Sequence, residues 1–143
     1  MMKLVFSFSA LVAIFFLGTC TSCAKQKEAE EAQTKTELLV TNSWDIYKVH
    51  QTVWINDSLV FDESESLNSS ANFKSNKTVL ISTPGEGSES LSWGLFNNQL
   101  VIGPDVYNIE TLSSAELIVS KTETEEDPDL GTVKTREQLF FRH

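Results

Sequence analysis

The sequence holds few of the residues that carry catalysis, metal binding or disulfide bonding. It has two cysteines, two histidines, three prolines and six glycines among 143 residues. Both cysteines, Cys20 and Cys23, lie near the N-terminus, so a domain that follows them can form no internal disulfide. The histidines, His50 and His143, are too few for a zinc site, which needs three or four converging ligands. We therefore expect no metal, no cofactor and no enzymatic activity.

Basic residues are also scarce. The chain has 11 Lys and Arg against 20 Asp and Glu, which gives a formal net charge of -9. A nucleic-acid-binding surface needs clustered Lys and Arg to contact phosphates, so nucleic acid is excluded as the expected partner. An acidic surface is not attracted to an anionic bilayer either, so membrane association would need another cause.

The familiar site motifs are missing. No Gly-x-Ser-x-Gly elbow occurs, and Gly85-Glu86-Gly87, the one Gly-x-Gly, precedes a predicted strand and is interpreted as a turn. Asp127-Pro128-Asp129 fails the spacing of a calcium loop and is interpreted as part of a solvated hairpin tip over residues 123–131. Asp62-Glu63-Ser64-Glu65 is expected to be a loop and not a carboxylate pair for acid–base catalysis.

The N-terminus has the three parts of a secretory signal, and we predict a signal peptide over residues 1–22. Lys3 supplies the positive charge, Leu4 to Leu17 form an apolar run broken only by serines, and small residues follow. A membrane-spanning helix needs about 20 apolar residues, so an uncleaved anchor helix is the less favoured alternative.

The position of the cysteines directly after this run resembles a bacterial lipoprotein signal, in which cleavage occurs before a Cys that carries acyl chains such as palmitate. Thr21-Ser22 suit cleavage before Cys23, which we favour, and Cys20 after Thr19 is the alternative. The resemblance implies a lipid anchor in the bacterial cell envelope, with the outer membrane as the expected location. Several acyl chains on one Cys hold a protein stably at a membrane.

The next segment, residues 23–37, is predicted to be the lipidated Cys and a flexible tether. After Cys23 it contains no large apolar residue, so it cannot bury a face. The domain proper is expected over residues 38–143.

This domain is predicted to be all-β. Short runs of Val, Ile, Thr and aromatics alternate with Asn, Asp, Gly and Ser, and no long 3.6-residue apolar period occurs. Asn97-Asn98 and Ser75-Asn76 are typical of tight hairpin turns. Neighbouring strands joined by short turns form an antiparallel meander, which hides its edges best as a closed up-and-down barrel of about eight strands. The predicted strands are 43–49, 51–55, 58–61, 70–74, 78–82, 91–96, 99–102, 106–109, 116–121 and 132–142, with the first two as possible halves of one bent strand.

The order of several short motifs resembles the lipocalin-like lipoprotein domains common in Bacteroidetes. Ser43-Trp44-Asp45-Ile46 opens the first strand, Ser92-Trp93-Gly94-Leu95-Phe96 leads into a hairpin, and Tyr107-Asn108-Ile109 precedes Leu112-Ser113. Asn42 stands where lipocalins proper have Gly. The resemblance implies a barrel with possible ligand binding, closed at its base by Trp44 packed against Arg142.

From the residues we expect a monomer that binds a small, apolar ligand in the barrel. Leu91, Trp93 and Leu95 alternate on one side of a strand, and Trp54 or Trp93 is expected to border the pocket. Gly94 is expected where the backbone turns sharply or is closely approached. An eight-stranded barrel is just filled by side chains or just holds one small ligand. The alternative is therefore a fully packed barrel that acts as a protein-interaction or inhibitor module, with Trp93 filling the interior.

Overall fold

The computed structural model describes residue 31 and residues 34–143, which form one short α-helix and an eight-stranded antiparallel barrel. Helix α1 covers residues 34–41. The strands are β1 (Trp44–Ile55), β2 (Ser58–Phe73), β3 (Thr78–Thr83), β4 (Gly87–Phe96), β5 (Gln99–Ile102), β6 (Asp105–Leu112), β7 (Glu116–Asp127) and β8 (Gly131–Arg142). The predicted all-β, eight-stranded barrel is confirmed.

The barrel is a meander in which every strand pairs with the next along the chain, and β1 also pairs with β8. The closing ladder runs from Asp45 opposite Arg142 to Ile55 opposite Val133. Positive φ angles at Asn56, Asp57 and Asn97 produce tight hairpin turns, because Asn and Asp tolerate the left-handed region. The turn predicted at Asn97-Asn98 is confirmed.

The first hairpin is longer than the sequence predicts. β1 is one strand with a register shift between Ile46 and Lys48, as the bent-strand alternative allows. The loop expected at Asp62–Glu65 is wrong, because these residues continue β2 and pair with β1, for example Glu63 with Gln51. Carboxylates are unfavourable in strands on average, but both faces of β2 are exposed at this level and accept them.

The last hairpin also extends further than predicted. The tip expected over residues 123–131 shrinks to a turn at 128–130, because β7 reaches Asp127 and β8 begins at Gly131. Its register places Glu126 opposite Thr132, whose hydroxyl donates to the Glu126 carboxylate at 2.8 Å. Asp127 accepts hydrogen bonds from the backbone N–H groups of Asp129 and Leu130, which makes the turn compact.

One end of the barrel, here called the closed end, is capped by α1 and by the last residue. Leu39 of α1 and Trp44 are fully buried, and the Trp44 indole N–H donates to the Leu39 carbonyl at 3.1 Å. The His143 ring lies 4.0 Å from the Trp44 ring. Residues 34–37, at the end of the predicted tether, are helical, and Lys35 donates a hydrogen bond to Asn98.

The remaining turns, at residues 56–57, 84–86, 103–104 and 128–130, lie at the opposite end, here called the open end. The predicted signal peptide, both cysteines and residues 24–30, 32 and 33 of the predicted tether lie outside the described residues. Among the helical residues that the structure describes, none belongs to a helix of the length and hydropathy needed to cross a membrane.

Candidate functional site

The inner face of the barrel changes character from the closed end to the open end. On β7, Leu117 and Val119 are fully buried, and alternation places Lys121 and Glu123 on the same inward side. At the same height on the neighbouring strands, Glu137 of β8 lies opposite Lys121, and Gln51 of β1 lies opposite Glu137. An apolar interior therefore gives way to a charged one.

The inward-facing side chains near the open end are not packed away. Val49 and Leu139 lie opposite one another next to the buried Val119, yet both are only half-buried, and Gln51 is exposed. We call this region the open cup and define it by its inward-facing residues, which are Val49, Gln51, Glu63, Glu65, Asp105, Tyr107, Lys121, Glu123, Glu137 and Leu139.

Lys121 is the one basic side chain in the open cup. Its ammonium group lies 2.6 Å from a carboxylate oxygen of Asp105 and 2.7 Å from one of Glu123. Hydrogen bonds to Asp105 and then to Glu123 raise the pKa of Lys121 above its ordinary value, so the ammonium stays charged. The pairing of β6 with β7 ends at Asn108 opposite Ser120. The two strands are not paired at the level of Lys121, so its side chain can lie between them and reach Asp105.

Tyr107 forms part of the floor of the open cup. It is 8% exposed, and its hydroxyl donates to Glu137 at 3.4 Å. Burial, followed by the charges of Glu137 and Asp105, raises the pKa of Tyr107 to about 12. The phenol is therefore a neutral hydrogen-bond donor at any physiological pH.

The charge balance of the open cup is acidic. Its carboxylates outnumber its single ammonium, and Glu63 and Glu65 are exposed on the inner face of β2. Two apolar side chains, Val49 and Leu139, border the same space. This arrangement can bind a molecule with an apolar body and a cationic or hydrogen-bond-donating group.

The predicted pocket residues lie in two different places. Leu91, Trp93 and Leu95 share the inward face, as expected, because Trp93 lies opposite Ile102 and Leu95 opposite Leu100. Trp93 is 4% exposed, packs edge-on against Phe73 and donates its indole N–H to the Lys74 carbonyl at 2.9 Å. It therefore fills the interior near the closed end.

Trp54 lies on the other side of the sheet from the open cup. It lies opposite Lys134, whose ammonium is 5.2 Å from the centre of its ring. Leu91 and Leu95 pack against the core, and their role in ligand binding stays a prediction. The expectation for Gly94 is wrong, since a Cβ there would meet nothing within 4 Å and its φ is not positive.

The expected packing of Trp44 against Arg142 is replaced by two other pairs. Arg142 lies opposite Asp45, the residue after Trp44, so the two side chains point to opposite faces of the sheet. The Arg142 guanidinium lies 4.8 Å from the centre of the Tyr47 ring, and His143 takes the place against Trp44. The underlying expectation, that the first and last strands are neighbours, is confirmed.

The described residues offer one histidine–carboxylate pair. His50 Nε2 lies 2.6 Å from Asp62 Oδ1, and the Thr52 hydroxyl donates to the same oxygen at 3.3 Å. The hydroxyl thus contacts the carboxylate and not the imidazole, which is not the order of a nucleophile–base–acid relay. Within residue 31 and residues 34–143, no group of three or more His, Cys, Asp and Glu could hold a metal ion.

A second concave feature lies where β2 separates from β3. It is a cleft of ≈ 430 Å³ between Asn68 and Ser69 of β2 and the β3–β4 hairpin, with Ser82, Thr83 and Gly85 on its other side. Its lining includes hydroxyl groups, the Asn68 amide and the Asp45 carboxylate, so it differs from the mostly apolar pocket that the sequence predicts. We call it the fork cleft.

The open cup could have been inferred in part from the sequence. Leu117, Val119, Lys121 and Glu123 alternate along one strand, so a charged continuation of an inward-facing apolar row was visible. Tyr107 and Glu137 carry no comparable signal, because their contact depends on the registers of β6 with β7 and of β7 with β8.

Comparison with known proteins adds no relative. No protein-family model matches the chain, and neither a curated protein nor a solved structure matches it.

Proposed function

We propose that this chain is a membrane-anchored lipoprotein of a bacterial envelope whose barrel binds a small molecule in the open cup without catalysing a reaction. The observation that carries the proposal is that inward-facing Val49 and Leu139 are only half-buried, in a barrel whose other end is sealed by Leu39 and Trp44. A barrel filled throughout would bury side chains at this level. We also propose that this domain belongs to the lipocalin-like lipoprotein domains, and the eight-stranded antiparallel barrel supports that assignment.

The charges in the open cup narrow the chemical class of the proposed ligand. An entirely apolar ligand would leave the Lys121 and Glu137 side chains without new partners, and removing a charged group from water without a partner is costly. The excess of carboxylates disfavours a fatty acid. We propose an amphipathic ligand whose cationic or donor group lies near Glu137 and Glu63, and whose apolar part contacts Val49 and Leu139.

Matched amphiphiles test this proposal. Alkylammonium, alkyl alcohol and alkyl carboxylate compounds of one chain length are titrated while the fluorescence and the thermal unfolding of the protein are recorded. The alkylammonium is expected to stabilise the protein most, and added salt is expected to weaken that effect. Glu137→Gln should weaken alkylammonium binding, whereas Glu126→Gln, on the outer face of β7, should leave it unchanged. Equal binding of all three compounds, or no effect of Glu137→Gln, would contradict the proposed ligand class.

The anchor is tested separately. It rests on Lys3, the apolar run from Leu4 to Leu17 and the small residues before Cys23. Mass spectrometry of the membrane-extracted protein should find an acylated Cys23 as the N-terminal residue, and Cys23→Ser should release the protein from the membrane. An acylated N-terminal Cys20 would move the site, and a retained Lys3 would refute the lipoprotein class.

A further inference from the structure

Most of β2 has a strand partner on one side only. It pairs with β1 from Ser58 to Ala71, but with β3 only from Ser70 to Phe73. For residues 58–69, the part of the chain that the structure describes supplies no strand on the β3 side. Residues 58–66 are all exposed, including Leu59, Val60 and Phe61. This stretch, residues 58–69, is here called the free edge.

A free edge can accept another strand. Alternate residues of an antiparallel strand direct their N–H and C=O groups to each side, so the free edge presents a row of backbone donors and acceptors to solvent. Twelve residues would offer roughly 40 Å of such backbone at about 3.3 Å per residue. Extended peptides bind to sheet edges by adding a strand in this way, and the alternate side chains determine specificity.

The side chains of the free edge disfavour a second copy of the same chain. If two copies paired antiparallel about Ser64, Glu63 of one would lie opposite Glu65 of the other. Like charges directly opposite each other destabilise a strand pair, and the formal net charge of -9 adds a general repulsion. The same carboxylates would attract a strand that carries Lys or Arg at alternate positions.

The fork cleft lies at one end of the free edge and gives the incoming strand a polar place to end. The hydroxyls of Ser69 and Thr83 are hydrogen-bonded at 3.0 Å where β2 and β3 separate. Beyond this bond the cleft of ≈ 430 Å³ presents further hydroxyl and amide groups. These groups can hydrogen-bond the end of an added strand without requiring a particular side chain.

We propose that the free edge binds an extended, basic segment of a partner protein as an additional strand of the sheet. Phe61, Glu63 and Glu65 lie on one face of β2, because they alternate and pair with Val53, Gln51 and Val49. An added strand that runs antiparallel to β2, as every neighbour in this sheet does, would carry two basic residues followed by an apolar residue, each separated by one small polar residue. This interaction is independent of ligand binding in the open cup, except that Glu63 and Glu65 border both.

The probe is a synthetic peptide that alternates Thr with Lys, Lys and Phe, in the order that matches β2 antiparallel, and its control has Glu in place of both Lys. The intact protein is titrated with each peptide, and hydrogen exchange of the amides in residues 58–69 is followed. The Lys peptide should protect amides of the free edge while the Glu peptide should not. Protection confined to residues outside β2, or none at all, would overturn the proposal.

A charge swap gives the second test. The double variant Glu63→Lys with Glu65→Lys should bind the Lys peptide on the order of tenfold more weakly and should gain binding to the Glu peptide. The matched variant Glu125→Lys with Asp129→Lys changes the net charge equally at the other hairpin and should bind the Lys peptide like the wild type. If both double variants weakened binding of the Lys peptide equally, the peptide would be attracted by the net charge of the protein and not by pairing with the free edge. A concentration-dependent dimer that protects the free edge would instead make a second copy the partner, and would overturn the proposal.

Discussion

Two buried side chains connect α1 to the barrel. Leu39 and Trp44 are each fully buried, and one hydrogen bond joins the Trp44 indole to the Leu39 carbonyl. A helix of this length is unstable alone, so its order depends on these contacts. The neighbouring Leu38 is only half-buried, which makes it a natural control.

Leu39→Ala is therefore expected to lower the free energy of unfolding by about 2–5 kcal/mol, because it removes buried methyl groups and leaves a cavity at the closed end. Leu38→Ala should have a clearly smaller effect. Urea denaturation of both variants measures the difference. Equal effects would show that α1 does not seal the barrel through Leu39.

Tyr107 gives a prediction about proton binding. Its pKa is raised from 10.0 to about 12 by burial and by the charge of Glu137. The unfolded protein releases this proton at a lower pH than the folded one. The stability contributed by neutral Tyr107 is thus present below pH 10 and is lost as the pH rises toward 12.

An absorbance titration of tyrosinate formation in the folded protein should contain a transition near pH 12 that Tyr107→Phe removes. A variant spectrum with the same transition would assign that ionisation to another group. Glu137→Gln should lower the pKa of Tyr107, because it removes a negative charge beside the phenol.

At the scale of elements, the tips of the two long hairpins are joined through Asn56. Its side-chain amide donates to the Leu130 carbonyl at 2.9 Å, and its amide oxygen accepts from the Thr132 N–H at 3.1 Å. Gly131 lies between these partners with φ of +85°, and a Cβ there would lie 2.5 Å from the Asn56 amide oxygen. The junction therefore requires glycine for both backbone conformation and space.

Gly131→Ala should lower the free energy of unfolding by about 1–3 kcal/mol, because the residue would be held in a strained conformation and would displace Asn56. Gly94→Ala is the matched control, since a Cβ at Gly94 meets nothing within 4 Å. Thermal unfolding compares the two. A neutral Gly131→Ala would mean that the hairpin tips are not held together by Asn56.

Across the whole molecule, a polar network ties β6 to β8 on the outer face of the barrel. Glu110 accepts hydrogen bonds from Arg136 and Gln138 of β8. Burial would raise the pKa of Glu110, but hydrogen bonds from Ser120, Arg136 and Gln138 outweigh it and lower the pKa below its ordinary value. The network adds stability above the ordinary carboxyl pKa and loses it as the pH falls through the lowered one.

Urea midpoints measured from neutral pH down into the acid range should therefore fall more steeply for the wild type than for Glu110→Gln. At neutral pH the variant should be the less stable of the two. Parallel pH profiles would contradict a stabilising role for the Glu110 carboxylate between β6 and β8.

The sequence predicts the barrel well because the turns and the strand alternation are local signals. Asn97 and the break around Pro104 mark strand ends without any knowledge of neighbours. The errors lie where long-range pairing decides, as for the acidic residues of β2 and β7, which resemble loops but are paired with β1 and β8. The floor of the open cup was missed for the same reason, since the contact of Tyr107 with Glu137 joins residues from β6 and β8.

Helix α1 and His143 lie together at the closed end, which is the end at which the proposed anchor would join the domain. If Cys23 carries the proposed lipid anchor, the chain from the anchor joins the domain at this end. The bilayer would then lie beneath the sealed base, and the mouth of the barrel together with the unpaired length of β2 would face away from the lipid. A label attached after His143 would report on the membrane-proximal side, and one at the Asn56 turn on the distal side.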